Sequence, residues 1–410
     1  MKLALIVVGS GLAVFAAACG GGGGMSSDGG TDAGSDVSPS DGMALDAPAE
    51  TGDDASDGGN SLLGFQPSNV TVADVTKHKT QAKDETVSSS CTIKTDNTSP
   101  GGDCFMSDMV AVKQPDGTIV NLAVVKSLNV EANGVMRVTG PVPLVIVSLT
   151  DVTISGLIDA HSADLDTGPG GAPPATSNMT GPGKGGGVAG SASALVGGGG
   201  GSYCGAGGKG GGATTSGMAY GTSEDRPLMG GSAGGGGGVG SGAGGGAVQI
   251  VAGGTITTQT GSAITVGGQG GPIGGLAADQ NAGGGGSGGA ILLEATSVTL
   301  AGVLAANGGG GGGDYATGGG ADATADAKPA KGGAAGSDDA AGGDGSAAAT
   351  IDGADGKTGA MLNAGGGGGA AGRIRINTSN GMASMTGTLS PGGATACTSV
   401  GTVRTLAQGP

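Results

Sequence analysis

This 410-residue chain has only two histidines, so most of its candidates for acid–base chemistry are carboxylates. Three carboxylates fall within or beside apolar, strand-like runs: Asp151, Asp159 and Glu294. Two carboxylates that flank a glycosidic bond are the usual means of hydrolysing it, so a carbohydrate-active enzyme is one interpretation. When the repeats described below are aligned, however, the three acids fall at three different positions. No single row of acids is predicted, and no catalytic set is assigned.

The two histidines favour structural roles. His78 lies between two lysines in a polar stretch that is typical of a surface. His161 falls at the repeat position that Asn307 occupies in another copy, which predicts a corner of the chain. No G-x-S-x-G motif stands between a predicted strand and a helix. A Ser-His-Asp triad therefore has no motif in its favour.

One calcium-binding pattern occurs, because residues 309–314 match G-G-x-G-x-D and end in Asp314. A run of glycines satisfies this pattern easily, and the tandem copies of a calcium-binding β-helix are missing. Asp314 is therefore the one calcium candidate, and an ion-binding module is kept as an alternative function. No other metal site and no cofactor is predicted.

The spacing of the cysteines predicts disulfides. Cys91 and Cys104 flank a turn-rich loop, so we expect a local bond that closes 14 residues and contributes about 3 kcal/mol. Cys204 and Cys397 form the second expected pair, although four cysteines allow three pairings. A metal site is the alternative, but no C-x-x-C spacing supports it.

The N-terminus predicts an exported, lipid-anchored protein. Residues 1–19 contain a lysine, an apolar run and small residues before Cys19, as in a signal peptide. Ala17, Ala18 and Cys19 resemble the lipobox of bacterial lipoprotein precursors, in which the cysteine is lipidated, although Ala16 replaces the usual leucine. Because Gly20 rather than aspartate follows, the resemblance implies the outer membrane, with the side it faces left open. An ordinary secretory signal is the alternative.

Residues 20–60 predict a disordered tether, because they hold nine acidic residues and no basic one among glycine, serine, alanine and proline. The whole chain has 101 glycines, about 1% aromatic residues and a net charge of −16. This charge argues against nucleic acid as a partner. The scarcity of aromatic side chains argues against a conventional layered core, and favours a narrow, repetitive structure.

Repeats of about 20 residues organise the remainder. Residues 144–162 align without a gap on residues 290–308, which places Val145 and Val147 on Ile291 and Leu293. Looser copies begin at positions 123, 247 and 373. Each copy contains short runs of alternating apolar residues, separated by glycine or asparagine, which is typical of strands.

Stacked copies of such a unit can bury a continuous core that one copy cannot. We therefore predict an all-β fold, a parallel β-helix or β-solenoid over residues 121–403, with a β-sandwich of the same strands as the alternative. In the last copy the arginines at 373 and 375 should face outward and Ile374 and Ile376 inward. Residues 61–120 are predicted to form an N-terminal β cap that begins with a strand at residues 62–75.

Two long glycine-rich insertions, 163–246 and 307–372, interrupt the repeats. Glycine tracts can pack as polyproline II segments, because the missing side chains allow backbones to approach closely. We expect the insertions to leave from the same edge of successive repeats and to lie against each other.

The pattern GGGGxGGxIxIxAxxVxxxGxLxANGGxGG resembles a family of glycine-rich exported bacterial lipoproteins of the myxobacterial type. The matching residues are Gly288, Gly289, Ile291, Leu293, Val298, Gly302, Leu304, Asn307, Gly372, Ile374 and Ile376. The resemblance implies no catalytic residue. We therefore predict a surface-anchored outer-membrane lipoprotein that acts as a structural or adhesive module. Its predicted partners are the membrane, through the lipid, and cell-surface polysaccharide or protein.

Overall fold

The computed structural model describes residues 62–406, except 165, 192–193, 276–279, 314–317, 336–339 and 360–362. The predicted leader with Cys19, the acidic tether and the calcium candidate Asp314 lie outside the described residues. Within the described part the fold is all-β, as predicted, with one short α-helix and one 3-10 turn. None of the described helices is long and apolar enough to cross a bilayer.

The eighteen strands assigned within these residues are named in chain order. They are β1 (Asp84–Val87), β2 (Ser90–Lys94), β3 (Gly101–Gly102), β4 (Met109–Lys113), β5 (Ile119–Val125), β6 (Ser127–Val130), β7 (Val135–Thr139), β8 (Leu144–Ser148), β9 (Val152–Ile154), β10 (Leu157–Asp159), β11 (Ala247–Thr258), β12 (Ala263–Thr265), β13 (Ala290–Leu300), β14 (Val303–Ala305), β15 (Arg373–Thr378), β16 (Ser384–Met385), β17 (Thr388–Ser390) and β18 (Thr398–Thr402).

The predicted strand at residues 62–75 is wrong. This segment is irregular up to Val70 and then forms helix α1 (Val72–His78), followed by a 3-10 turn at Lys79–Gln81. The helix begins at a capping box, because the Thr71 hydroxyl accepts from the Asp74 amide and the Asp74 carboxylate accepts from the Thr71 amide. This pair satisfies two amides that otherwise have no partner, and it overrides the short alternating pattern.

The strands form two sheets whose neighbours are mostly parallel. The first sheet has eleven strands and includes the order β1-β6-β9-β11-β13-β15-β18, with β8 and β5 beside β11. The second has seven strands in the order β17-β14-β12-β10-β7-β2-β3. Only the β2–β3 and β4–β5 pairs are antiparallel among those described. Corresponding strands of successive repeats are therefore direct neighbours.

The register shows that the ungapped repeat alignment is displaced by one residue in the first strand. Leu144 pairs with Val248, which in turn pairs with Ile291. Leu144, not Val145, therefore corresponds to Ile291. The cause is the length of the turn between the two parts of the repeat. Three residues, 149–151, separate β8 from β9. Only two residues, 296–297, separate the parts of β13 that correspond to β8 and β9. Because side chains alternate between faces, one residue of displacement moves a strand's apolar set to the other face.

Two apolar cores result. The inner core contains alternate side chains of the strands, including Ile146 of β8, Ile250 of β11, Leu293 of β13 and Ile376 of β15. As predicted, Ile374 and Ile376 face this core. The outer core lies on the opposite side of β5, β8, β11 and β13. Its members include Val145, Val147 and Leu292 of the strands, with Leu63, Phe65, Val70, Val75, Tyr203 and Leu228 packed over them.

Three glycine-rich excursions, not two, leave the second sheet. They run from the ends of β10, β12 and β14 to the starts of β11, β13 and β15, and so occupy residues 160–246, 266–289 and 306–372. The sequence did not indicate the middle excursion, because it is short and its composition is similar to that of the repeat before it. All three leave from the same edge, as expected.

The excursions contact one another through backbone hydrogen bonds. The Gly198 amide donates to Ala282 at 3.0 Å, and three residues later Gly201 donates to Gly285 at 2.9 Å. The Gly367 amide donates back to Gly198 at 2.9 Å, so that all three excursions are joined. A period of three is that of the polyproline II helix, which has no internal hydrogen bonds and leaves its amides free for neighbours.

Candidate functional site

The carboxylate of Glu294 is buried on the outer side of β13, under the segment that begins the described chain. It accepts four hydrogen bonds, from the Ser68 hydroxyl at 2.6 Å, the Ser68 amide at 2.9 Å, Gln249 at 2.6 Å and Asn377 at 3.0 Å. Glu294 is 0% exposed. Through the bonds to Ser68, the carboxylate holds residues 66–70 against the sheet.

Asp151 lies before β9 and is exposed. Its Oδ1 accepts from the amide of Thr255 at 2.7 Å and from the hydroxyl of Thr255 at 2.9 Å. These bonds satisfy donors at the β-bulge of β11, between Ala252 and Thr255. Asp151 therefore supports a bulge in the sheet, and it shares no hydrogen-bond partner with Glu294 among the described residues.

Asp159 forms a cluster with His161 and Arg137 on the outer side of the second sheet. Arg137 and Asp159 are direct partners across β7 and β10, and Arg137 Nη1 lies 3.0 Å from Asp159 Oδ1. His161 Nδ1 contacts the same oxygen and lies 2.9 Å from Arg137 Nη1. Burial by itself raises the pKa of Asp159, but the hydrogen bond and charge of His161, with the charge of Arg137, lower it below its ordinary value.

The structure thus places the three candidate carboxylates in three separate networks. Glu294 faces the outer core, Asp151 supports a bulge, and Asp159 contacts Arg137 and His161 on the second sheet. Among the described residues no two of them share a partner. His161 lies at a corner after β10, as its repeat position predicts, and His78 ends helix α1.

Residues 220–226 cover the outer face of β15 and contain a buried acid that the sequence did not reveal. Asp225 is 1% exposed, and neither of its carboxylate oxygens has a hydrogen-bond partner among the described residues. Burial raises the pKa of Asp225 to about 8, although the charges of Arg373 and Arg375 oppose this shift. At neutral pH the protonated, neutral form is therefore favoured.

Two of the chain's three tyrosines accompany this acid. Tyr203 is fully buried, and its ring lies 4.6 Å from that of Tyr220 and below the guanidinium of Arg373, 5.9 Å away. Burial raises the pKa of Tyr203, and it raises the pKa of Tyr220 to about 12. Both phenols are accordingly neutral near pH 7. They anchor the loop over the sheet.

Two cavities border this region. One, of about 520 Å³, lies between residues 114–119, 141–143 and 228–231, and its wall includes Tyr220 and Lys184. Another, of about 360 Å³, is lined by Asn69, Pro115, Asp116, Arg226 and Pro227. At the second cavity the buried Oδ1 of Asn69 and Nε of Arg226 have no hydrogen-bond partner among the described residues.

On the first sheet a row of neutral polar side chains follows the register and alternates with residues of the inner core. Asn129, Thr153, Thr257 and Thr299 are successive partners on β6, β9, β11 and β13. None of the four side chains makes a hydrogen bond to another described residue. Neighbouring strands lie about 4.8 Å apart, so this face presents regularly spaced groups that are free to bond outward.

Both disulfides join the pairs favoured from the sequence. Cys91 and Cys104 lie 13 residues apart, and Cys204 and Cys397 lie 193 residues apart. Asp103 lies close to the first pair, but the two sulfurs are bonded to each other and are not free thiolate ligands. The second bond ties the first glycine-rich excursion to the segment that leads into β18.

Comparison with known proteins adds no relative to this description. No family model, no curated protein and no solved structure matches the chain.

Proposed function

We propose that this chain is a surface-anchored outer-membrane lipoprotein, and that residues 121–403 form a β-solenoid that serves as a structural or adhesive module. The observation that carries the proposal is the direct parallel pairing of corresponding strands, as in Leu144 to Val248 to Ile291. A sandwich of the same strands would require mainly antiparallel neighbours. Parallel stacking of repeats instead favours a solenoid.

The glycine-rich excursions support a mechanical role. Their backbones bond to one another at every third residue, and a Cβ added at Gly284 would overlap the carbonyl oxygen of Gly199. Such close contact leaves little room for movement of one excursion past another. A rigid, side-chain-poor block beside a stacked sheet suits a scaffold better than a cleft that must admit a substrate.

The neutral row of Asn129, Thr153, Thr257 and Thr299 supports adhesion rather than scaffolding alone. Free hydroxyl and amide groups at regular spacing can bond a partner at several points, and several weak contacts together give useful avidity. The three candidate acids, by contrast, each have structural partners. No contact among the described residues therefore favours the carbohydrate-active enzyme over the adhesive module.

Lipid anchoring is tested with Cys19→Ala in the full-length precursor. We expect loss of palmitate labelling and release of the protein from the outer-membrane fraction, because the lipidated thiol is gone. Cys204→Ala is the matched control, since it removes a different cysteine and should leave the label. Palmitate that persists on the Cys19→Ala protein would disprove the anchor.

Adhesion is tested by displaying the full chain on cells and measuring their retention on coated surfaces under flow. We expect retention to depend on surface display and to be lost with Cys19→Ala. The enzyme alternative is tested on the same protein by release of reducing sugars from a panel of polysaccharides. Turnover that disappears in Asp159→Asn, while thermal unfolding shows that the fold is kept, would replace the adhesive module with an enzyme.

A further inference from the structure

Four of the chain's five arginines gather around the loop at residues 220–226. The five are Arg137, Arg226, Arg373, Arg375 and Arg404, and all but the first belong to what we call the arginine patch. Arg373 and Arg375 lie on the same side of β15, since residues two apart share a face. The backbone amide of Gln66 donates to the Arg404 carbonyl at 2.9 Å, and Asn69, three residues further on, lines the same cavity as Arg226.

The guanidinium groups of the patch are not neutralised by ion pairs. Among the described residues none of the four forms a salt bridge within 4.0 Å, whereas Arg137 is paired with Asp159. Among the described residues, the only hydrogen bonds that these four side chains make run from Arg373 to the carbonyls of Tyr220 and Gly221 and from Arg375 to Asn377. In a chain with 33 acidic residues, unpaired arginines at one place are unexpected.

The acidic neighbours of the patch form no ion pair with its four arginines among the described residues, although Glu224 stays ionised and its charge acts on Arg373 and Arg375. Glu224 accepts from the hydroxyl of Ser223 at 2.8 Å, and Glu294 is occupied by the four donors described above. Asp225 is buried, and its neutral form is favoured. Asp116 lines the same cavity as Arg226, and it accepts from the amide and hydroxyl of Thr118 at 3.0 and 2.6 Å.

The cavity of about 360 Å³ gives the patch a built centre. Its volume is at the lower end of the range of ligand pockets, which suits a single sugar ring. Asn69 is 0% exposed, and its Oδ1 is buried without a partner, as is Nε of Arg226. Because both atoms are closed off from solvent, the cavity offers a ligand the positive charge of Arg226, whose side chain is only half-buried, rather than these two atoms.

We propose that the arginine patch binds an acidic polysaccharide, with one sugar acid in the cavity at Arg226 and Asn69 and neighbouring carboxylates on Arg375 and Arg404. The guanidinium fork matches the two oxygens of a carboxylate. This inference rests on the proposed adhesive function and names the class of its partner. It also refines the expectation from net charge, because four of the five arginines lie at one place in an acidic chain.

Charge density favours a polysaccharide over nucleic acid. Duplex DNA carries one charge per about 1.7 Å, and a protein with a net charge of −16 is repelled more strongly by such a polymer. A polymer with about one carboxylate per sugar is repelled less and still offers repeated anions to the arginine patch. Nucleic acid and anionic vesicles serve as competing partners in the test.

The test measures binding of the full-length protein in detergent to immobilised polygalacturonate and alginate at low salt. We expect binding to both and none to neutral dextran. Arg226→Ala with Arg404→Ala should weaken binding at least about tenfold, because two charge-assisted contacts are lost. The affinity of the Arg226→Lys, Arg404→Lys variant should lie between those of the parent and the double alanine variant. The charge remains in this variant, but the two-pronged guanidinium geometry is lost.

Lys328→Ala with Lys357→Ala is the matched control, because both lysines are exposed, far along the chain in the third excursion, and carry the same total charge. The control should stay within about twofold of the parent. Thermal unfolding of each variant checks that the fold is kept. The proposal is overturned by absent binding, by equal binding to dextran, by an equal loss in the lysine control, or by tighter binding to duplex DNA or phosphatidylglycerol vesicles.

Failure of this inference is distinguishable from failure of the proposed function. If cells that display the chain adhere to surfaces but the protein does not bind acidic polysaccharide, only the arginine patch is disproved. If Cys19→Ala keeps its palmitate and cells show no display-dependent adhesion, the adhesive lipoprotein is disproved, whatever the polysaccharide result.

Discussion

The hydroxyl of Ser68 donates a 2.6 Å hydrogen bond to Oε1 of Glu294, although the two residues are 226 positions apart. The amide of Ser68 donates to the second carboxylate oxygen at 2.9 Å. This contact fastens the start of the described chain to the middle of the first sheet. It also explains how a buried carboxylate is tolerated, since hydrogen bonds to the charged form offset its desolvation.

Glu294→Gln should therefore destabilise the fold. The amide that replaces one oxygen is itself a donor, and it would face donors from Ser68, Gln249 or Asn377, which leaves buried groups unsatisfied at a cost of about 1–3 kcal/mol. Urea unfolding followed by circular dichroism gives the measurement. Glu131→Gln, the same change at an exposed position, is the control. Equal urea midpoints for the two variants would contradict a stabilising role for the hydrogen bonds to Glu294.

Gly284→Ala should destabilise the glycine-rich excursions. A Cβ at this position would overlap the backbone oxygen of Gly199, which cannot rotate away, and overpacking of this kind costs about 1–3 kcal/mol or more. Gly101→Ala is the control, because a Cβ there meets nothing within 4 Å. Thermal midpoints and amide exchange of the excursions are measured. Unchanged exchange in Gly284→Ala would show that the excursions do not pack as described.

Asp225 should make stability fall as pH rises. Its pKa is about 8 in the folded protein against an ordinary value of 3.8, so between these values the folded state holds a proton that the unfolded chain has lost. The stabilising contribution is complete below about pH 4 and is lost as pH rises through about 8, with a slope of up to about 1.4 kcal/mol per pH unit.

This slope is measured by urea unfolding of the parent and of Asp225→Asn between pH 5 and 8. As pH rises, the free energy of unfolding of the parent should fall relative to that of Asp225→Asn. Glu224→Gln is the control, because a hydrogen bond from Ser223 lowers the pKa of Glu224 and keeps it ionised over this range. Parallel profiles for the parent and Asp225→Asn would argue against a buried, protonated acid.

Loss of the Cys204–Cys397 disulfide should be more costly than loss of Cys91–Cys104. The former closes a separation of 193 residues and the latter 13, and the chain-entropy model gives about 5 and about 3 kcal/mol for loops of these orders. Paired Cys→Ser variants are compared by calorimetry under non-reducing conditions. A larger effect from Cys91–Cys104 would show that native-state contacts, not loop closure, decide the order.

The sequence was a good guide to elements whose signal is local. Alternation in Arg373–Ile376 predicts a strand and the faces of its side chains correctly, and the spacing of Cys91 and Cys104 in a turn-rich loop indicates a local disulfide. The same local reading failed at residues 62–75, where a capping box at Thr71 and Asp74 selects a helix. It also failed in β8, where one extra turn residue displaces the repeat.

The arginine patch was invisible for a different reason. Arg226, Arg375 and Arg404 come from a loop, a strand and the segment after the last strand, and nothing in their spacing relates them. The scarcity of arginine was the only available signal. Likewise Asp225 looks like any surface acid in the sequence, and only the packing of residues 220–226 over β15 makes it buried.

What the sequence alone determined is the all-β character and the repetition, because strand alternation and glycine punctuation are properties of neighbouring residues. The tertiary structure decided which repeats are in register, how the three excursions bond to one another, and which charged side chains meet. These depend on contacts between residues such as Ser68 and Glu294 that are far apart in the chain. A single added turn residue, as between β8 and β9, is enough to change the outcome.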